Sequence, residues 1–226
     1  MNSFRITAAM MVAIATWVLV AGQAQAAVQT TTATANSFGF TVSSTDLLNQ
    51  GQQLASSSFV GTDTWGGGPV SKLTDGAMYG VNQGDTTGSL SPQEGDVATF
   101  FLDTTTNTAG YDITSLVTYT AYEAGVFVAQ GYDVAYRQVN SALFTPLTTV
   151  SVADNQGQEV RVTIDDSGAG FIATGVDALQ FTYHGNFFIY REYDLFGSAS
   201  VIPEPASLGL LAIGVGTMVL GRRRRA

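Results

Sequence analysis

Apolar side chains recur at every second position through much of this chain, and that period decides what it can fold into. Val160, Val162 and Ile164 alternate with Arg161, Thr163 and Asp165, and Leu179, Phe181 and Tyr183 alternate with Gln180 and Thr182. Tyr132, Val134 and Tyr136 likewise alternate with Asp133, Ala135 and Arg137. Successive side chains of a strand point to opposite faces, so each run yields one face for a core and one for solvent. Residues 97–102 are apolar on both faces, which predicts a central strand, and residues 116–122 supply another. Turn-forming clusters of Gly, Asn and Asp at 63–69, 82–95, 104–110, 154–157 and 165–170 separate the runs. No helical stripe interrupts them outside the C-terminal tail. Seven or eight short strands at this spacing predict an all-β fold, an antiparallel sandwich with two inner faces forming the core.

The ends of the chain differ from this pattern. Residues 1–5 carry one positive charge, residues 6–22 are almost wholly apolar, and Ala24-Gln25-Ala26 places small residues at a cleavage position. That reads as a secretory signal peptide over residues 1–26, with a mature chain starting at Ala27; a retained N-terminal transmembrane helix is the alternative. Residues 27–54 form an N-terminal linker and first-strand region, in which the threonine-rich stretch 27–36 is either linker or early edge strand. Residues 55–200 are the sandwich domain. The chain has no cysteine, so an exported domain of this kind is stabilised by packing or by a bound ion rather than by disulfides. Five of the nine basic residues lie in the two ends, leaving Lys72, Arg137, Arg161 and Arg191 against seventeen of the eighteen acids, a net charge of −13. Such a charge opposes binding to nucleic acid or anionic lipid and favours binding of cations.

The C-terminal segment reads Val201-Ile202-Pro203-Glu204-Pro205, then an apolar or small-residue stretch over 206–220, then Gly221 and Arg222, Arg223, Arg224 and Arg225. Two prolines lack backbone donors and bias the residues before them toward extended geometry, which predicts an irregular, accessible approach to the apolar stretch. That stretch is shorter than the roughly 20 residues that span a bilayer comfortably. The arginines favour a cytoplasmic position, which puts the preceding domain outside. In this order the features resemble the PEP-CTERM sorting signal of exopolysaccharide-producing Gram-negative bacteria. The resemblance implies export across the inner membrane and recognition of Pro203, Glu204 and Pro205 by an exosortase-like membrane protease. The tail would make a transient inner-membrane span, and its removal would deliver the domain to the cell envelope or extracellular matrix. An ordinary C-terminal membrane anchor is the alternative.

Within the domain, Leu73-Thr74-Asp75-Gly76, then Tyr111 to Leu116, then Gln130 to Tyr136, and finally Tyr190-Arg191-Glu192-Tyr193-Asp194-Leu195-Phe196-Gly197 follow one another in an order that resembles the galactose-binding-like (discoidin-type) jelly roll. The resemblance implies one structural Ca²⁺ held by the carboxylates of Asp75 and Glu192, with loop carbonyls completing the shell. Ca²⁺ takes six to eight oxygens, and a glycine after the aspartate lets carbonyls turn inward. The chain departs from the family at Ala77-Met78-Tyr79-Gly80, where Asn and Thr ligands are usual; without them Asp75 would cap a turn and Glu192 would face solvent. The fold also implies a carbohydrate ligand stacked on an exposed ring, for which Trp65, Tyr122 and His184 are the candidates. Each has a plainer role, Trp65 as a lid over the core and His184 as part of a hairpin turn with Gly185 and Asn186.

Catalysis is disfavoured. A cysteine nucleophile is excluded, a Ser-His-Asp arrangement would depend on the single His184, and no Gly-x-Ser-x-Gly elbow, phosphate loop or zinc spacing is present. The sequence therefore describes an exported, non-enzymatic envelope or exopolysaccharide-associated protein with a polysaccharide as its expected partner. An accessory or weak carbohydrate-active enzyme, and a purely structural surface protein without a glycan, are the alternatives.

Overall fold

The computed structural model describes residues 27–35, 39–64, 68–78, 89–122, 127–153, 159–168, 170–185 and 188–201. Among them are nine strands: β1 (Val28–Ala35), β2 (Leu54–Val60), β3 (Val97–Leu102), β4 (Tyr111–Thr120), β5 (Gln130–Gln138), β6 (Phe144–Val152), β7 (Glu159–Asp166), β8 (Ala173–Tyr183) and β9 (Tyr190–Ala199). The one described helical element is a short 3-10 segment, Val70–Thr74. Every strand pairing is antiparallel.

The pairings divide the strands into two layers. One runs β1-β7-β4-β9 and the other β6-β5-β8-β3-β2, joined at a corner where Tyr111 and Ile113 of β4 pair with Val176 and Ala173 of β8. Aromatic side chains meet between the layers, Tyr132 and Phe181 from the period-two runs among them. Tyr193 of β9 packs on Phe181 of β8 and Phe100 of β3, with ring centroids 4.6 and 5.9 Å apart, and Tyr132 of β5 meets Tyr190 of β9 at 6.2 Å. Such ring pairs each add about 0.5–1.5 kcal/mol beyond the area they bury. Gln130 is fully buried, yet its polar atoms are satisfied: Oε1 accepts from Thr118 Oγ1 at 2.6 Å, and Nε2 donates to the carbonyls of Thr118 and Val160. A buried polar group bonded in this way ties the two layers in one register.

β3 lies inside its layer, as its two apolar faces require, and the threonine-rich stretch forms β1, an edge strand paired along its length with β7. The register also fixes which residues share an end of the sandwich. Tyr111, Gln138, Asp166, Val176, Ala199 and the start of β1 lie at one end. Thr120, Tyr132, Tyr183, Tyr190, Val60 and Glu159 lie at the other. Among the described residues no helix is long and apolar enough to cross a membrane; residues 1–26 and the tail from 202 onward, including the apolar stretch 206–220, lie outside them.

Candidate functional site

Asp75 and Glu192 come together. The 3-10 segment ends at Asp75, and Gly76 follows with φ of 75°, a left-handed conformation that glycine adopts without strain. An added Cβ there would stand 2.4 Å from Asn49 Nδ2. This turn directs the Gly76 N–H at Glu192 Oε1, 3.1 Å away and 116 positions along the chain. Asp75 Oδ2 accepts from Lys72 Nζ at 3.2 Å. Asp75 Oδ1 and Glu192 Oε2 are both buried without a hydrogen-bond partner among the described residues.

Two more carboxylates crowd the same place. Asp194, two residues beyond Glu192 on β9, projects to the same face and accepts from the Ser43 N–H at 3.0 Å and Tyr119 Oη at 3.1 Å. Asp46 Oδ1 accepts from the N–H groups of Leu48 and Leu195, at 2.9 and 3.1 Å. Asp46, Glu192 and Asp194 are nearly or wholly buried, and each leaves one oxygen unpartnered among the described residues. Burial pushes the Glu192 carboxyl up to about 10, against the Gly76 hydrogen bond, and the charges of Asp194, Asp75 and Asp46 raise it further. Burial likewise lifts Asp194 to about 6 and Asp46 above its usual range. Buried carboxylate oxygens with free lone pairs are the kind of donor a hard cation takes, although Asp75 already has Lys72 as a counter-charge. Among the described residues no three acidic or histidine side chains stand in a metal-binding arrangement. Asp46 and Asp194 were not singled out from the sequence as members of this cluster. The Glu-x-Asp spacing on one strand could have signalled Asp194, whereas nothing local marks Asp46.

The ligand candidates separate. Trp65 lies outside the described residues. Tyr122 is half-buried against the core and packs edge-on to Phe127 at 6.0 Å. His184 stands at the end of β8, half-exposed, with Nε2 2.9 Å from Asp133 Oδ2. Thr149 Oγ1 donates to Asp133 Oδ1 at 2.6 Å and, ahead of His184, holds that carboxyl below its ordinary range. Thr149 and His184, the two partners of Asp133, line a cleft of about 670 Å³ together with Gln130, Ser151 and Phe188. The cleft opens where β5 begins and β6 and β8 finish, at the second end of the sandwich. Asp133 and the cleft itself were not read from the sequence; Asp133 looked only like the solvent-facing member of an alternating strand.

The chain carries a sorting signal: residues 201–225 match the PEP-CTERM protein-sorting motif. A chain with this motif is exported and processed at its C-terminus by an exosortase at the envelope. Among curated proteins none matches this chain in sequence. Several solved structures resemble the domain at low sequence identity. The CBM32 module of AlyQ, in complex with 4,5-unsaturated mannuronic acid, is 11% identical, covers 63% of this chain and 95% of its own, and has a TM-score of 0.40. CpGH89CBM32-5 from Clostridium perfringens, in complex with GalNAc-beta-1,3-galactose, is 12% identical over 62% of this chain and 94% of its own, with a TM-score of 0.45. CBM32-1 from a family 31 glycoside hydrolase of the same organism is 10% identical over 64% and 96%, with a TM-score of 0.41.

Proposed function

We propose that the protein is a non-catalytic polysaccharide-binding component of the cell envelope or extracellular matrix, released from its membrane tail by an exosortase-like protease. The sorting motif at residues 201–225 carries this reading, because it gives the domain an address outside the inner membrane. The cleft supplies a place for the ligand. An aromatic ring (Phe188) beside hydroxyls (Thr149, Ser151) and an imidazole (His184) is the mix of apolar surface and few polar groups that suits a sugar. Asp133 orients the imidazole, so His184 keeps one ring nitrogen fixed and the other available. In the same reading Asp75 and Glu192 hold a structural Ca²⁺ that ties the early turn to the last strand. Its role is to neutralise buried charge, and no chemistry passes through it.

Two measurements test this. On a glycan array, a fragment comprising residues 27–202 should bind acidic or neutral bacterial polysaccharides, and His184→Ala should weaken binding about tenfold, the loss of roughly 1.4 kcal/mol. Unchanged binding in His184→Ala would move the ligand elsewhere, and no binding to any glycan would leave a structural surface protein. In the native host, mass spectrometry of the released form should find Arg222 to Arg225 absent, and Glu204→Ala should keep the precursor in the membrane with its arginines intact. A released wild-type protein that retains the arginines would refute the sorting reading.

A further inference from the structure

We infer that the end of the sandwich from which both chain ends leave is a membrane-apposed face that rests on the lipid interface while the C-terminal tail is attached. This rests on the proposed membrane insertion of that tail. Five large hydrophobic side chains are exposed among the described residues: Val60, Leu143, Phe171, Phe196 and Val201. Four of them share one end. Leu143 sits in the turn after β5, whose last residue Gln138 pairs with Val176. Phe171 and Phe196 flank the Ile113 backbone, for the Ile172 N–H donates to the Ile113 carbonyl and Gly197 pairs with Ile113. Val201, 84% exposed, follows Ser200, whose N–H donates to the Gly110 carbonyl. Only Val60, paired with Val97, lies at the opposite end. Exposed apolar residues scattered singly need no explanation, but their collection at one end does.

Chain continuity names the occupant. Ser200 is clamped into the fold: Asp112 Oδ1 accepts from the Ser200 hydroxyl and from the Gly175 N–H, and the Gly175 N–H also donates to Ser200 Oγ. Pro203 follows three residues later, within about 10 Å of chain at full extension, and the apolar run begins at Ala206. A tail seated in a bilayer therefore keeps this end of the domain close to the surface. The backbone of Ala27 leaves from the same end, its carbonyl accepting from the Ser167 N–H. Tethering supplies a high local concentration, so contacts too weak to bind membrane alone are populated. Asp103, Asp112, Asp165, Asp166 and Asp177 lie at this end against Arg137, and that excess of negative charge selects zwitterionic over anionic headgroups. The His184 cleft opens at the opposite end, away from the bilayer.

The chain's lack of cysteine makes the test direct. Leu143→Cys, Phe171→Cys, Phe196→Cys and, as far-end reference, Val60→Cys would be made singly in a chain of residues 27–226, which keeps the C-terminal tail without the signal peptide, and labelled with an environment-sensitive NBD dye. Each would be reconstituted into phosphatidylcholine vesicles and, separately, anionic phosphatidylglycerol vesicles, with and without doxyl-labelled lipid, with circular dichroism confirming the fold. Emission at 143, 171 and 196 should shift to the blue and be quenched by doxyl lipid, while emission at 60 does neither. Vesicle flotation reports tail insertion separately, so a chain that fails to float counts against the sorting reading. A floating chain without selective quenching overturns the inference. So does a blue shift already present without vesicles, since the residues would then be covered by protein, and so does quenching confined to anionic vesicles.

Discussion

Glu192 has no exposed surface, and among the described residues its carboxylate accepts one hydrogen bond, from the Gly76 N–H. Its raised affinity for a proton therefore has a defined consequence for stability. A carboxyl whose pKa is higher in the folded than in the unfolded chain binds more protons when folded, so its contribution is full at low pH and lost as pH rises. For Glu159, which burial lifts from 4.5 to about 7, the window runs between those two values and is worth up to about 3 kcal/mol at 1.4 kcal/mol per unit. Glu192 extends the same loss toward pH 10. Residues 27–202 in chelator should therefore be more stable at pH 5 than at pH 8 by urea denaturation. Bound calcium prefers the deprotonated form, so saturating calcium should shrink or reverse that difference. Glu192→Gln places an uncharged amide in the same volume; at pH 8 it should raise the melting temperature in chelator while abolishing the response to calcium. A calcium response that survives Glu192→Gln would remove Glu192 from the site.

At the scale of elements, the corner that joins the two layers depends on Gly110. Its φ is 79°, and an added Cβ would lie 2.7 Å from the carbonyl carbon of Gly175 and the carbonyl oxygen of Val176. Both obstacles are backbone, so neither can swing away. Gly110→Ala should cost about 2 kcal/mol or more, combining strain at positive φ with a displaced β4–β8 corner; urea midpoints would show it, and an unchanged midpoint would mean the corner is soft. Among the interior strands, β5, β7 and β8 were legible in the sequence through their alternating residues, β3 through its two apolar faces and β4 through the run 116–122. The edge strands were harder to read. β2 is Leu-Ala-Ser-Ser-Ser-Phe-Val with most residues exposed, and β6 contains Pro146 opposite a register shift at Val134 and Ala135. Proline is tolerated where no neighbour needs its N–H, so an edge strand loses the pattern that would announce it. The candidate site was half legible for a related reason. Asp75 and Glu192 sit in recognisable short motifs, but Asp46 reaches the cluster by bonding to Leu195, 149 positions away, and no local pattern encodes such a contact.

For the molecule as a whole, seventeen acids against four bases over residues 27–202 leave a net charge of −13 on one domain. Like charges on a compact body repel, and the unfolded chain relieves that repulsion by expanding. Screening should matter throughout, since the Debye length falls from about 30 Å at 0.01 M salt to about 3 Å at 1 M. In chelator the melting temperature should thus climb steadily with sodium chloride. The calcium proposed for Asp75 and Glu192 would act by a second route, because a site that exists only in the folded state adds RT ln(1 + [L]/Kd), about 2.7 kcal/mol at a hundredfold excess over Kd. The two routes separate at matched ionic strength. Calcium chloride should raise the melting temperature well above sodium chloride, with a saturating dose response. Magnesium should fall short of it, since a smaller ion that demands octahedral geometry is poorly served by two carboxylates and loop carbonyls. Equal effects of the three salts would mean that the domain feels only its overall charge, and that Asp75 and Glu192 are held together by the Gly76 hydrogen bond alone.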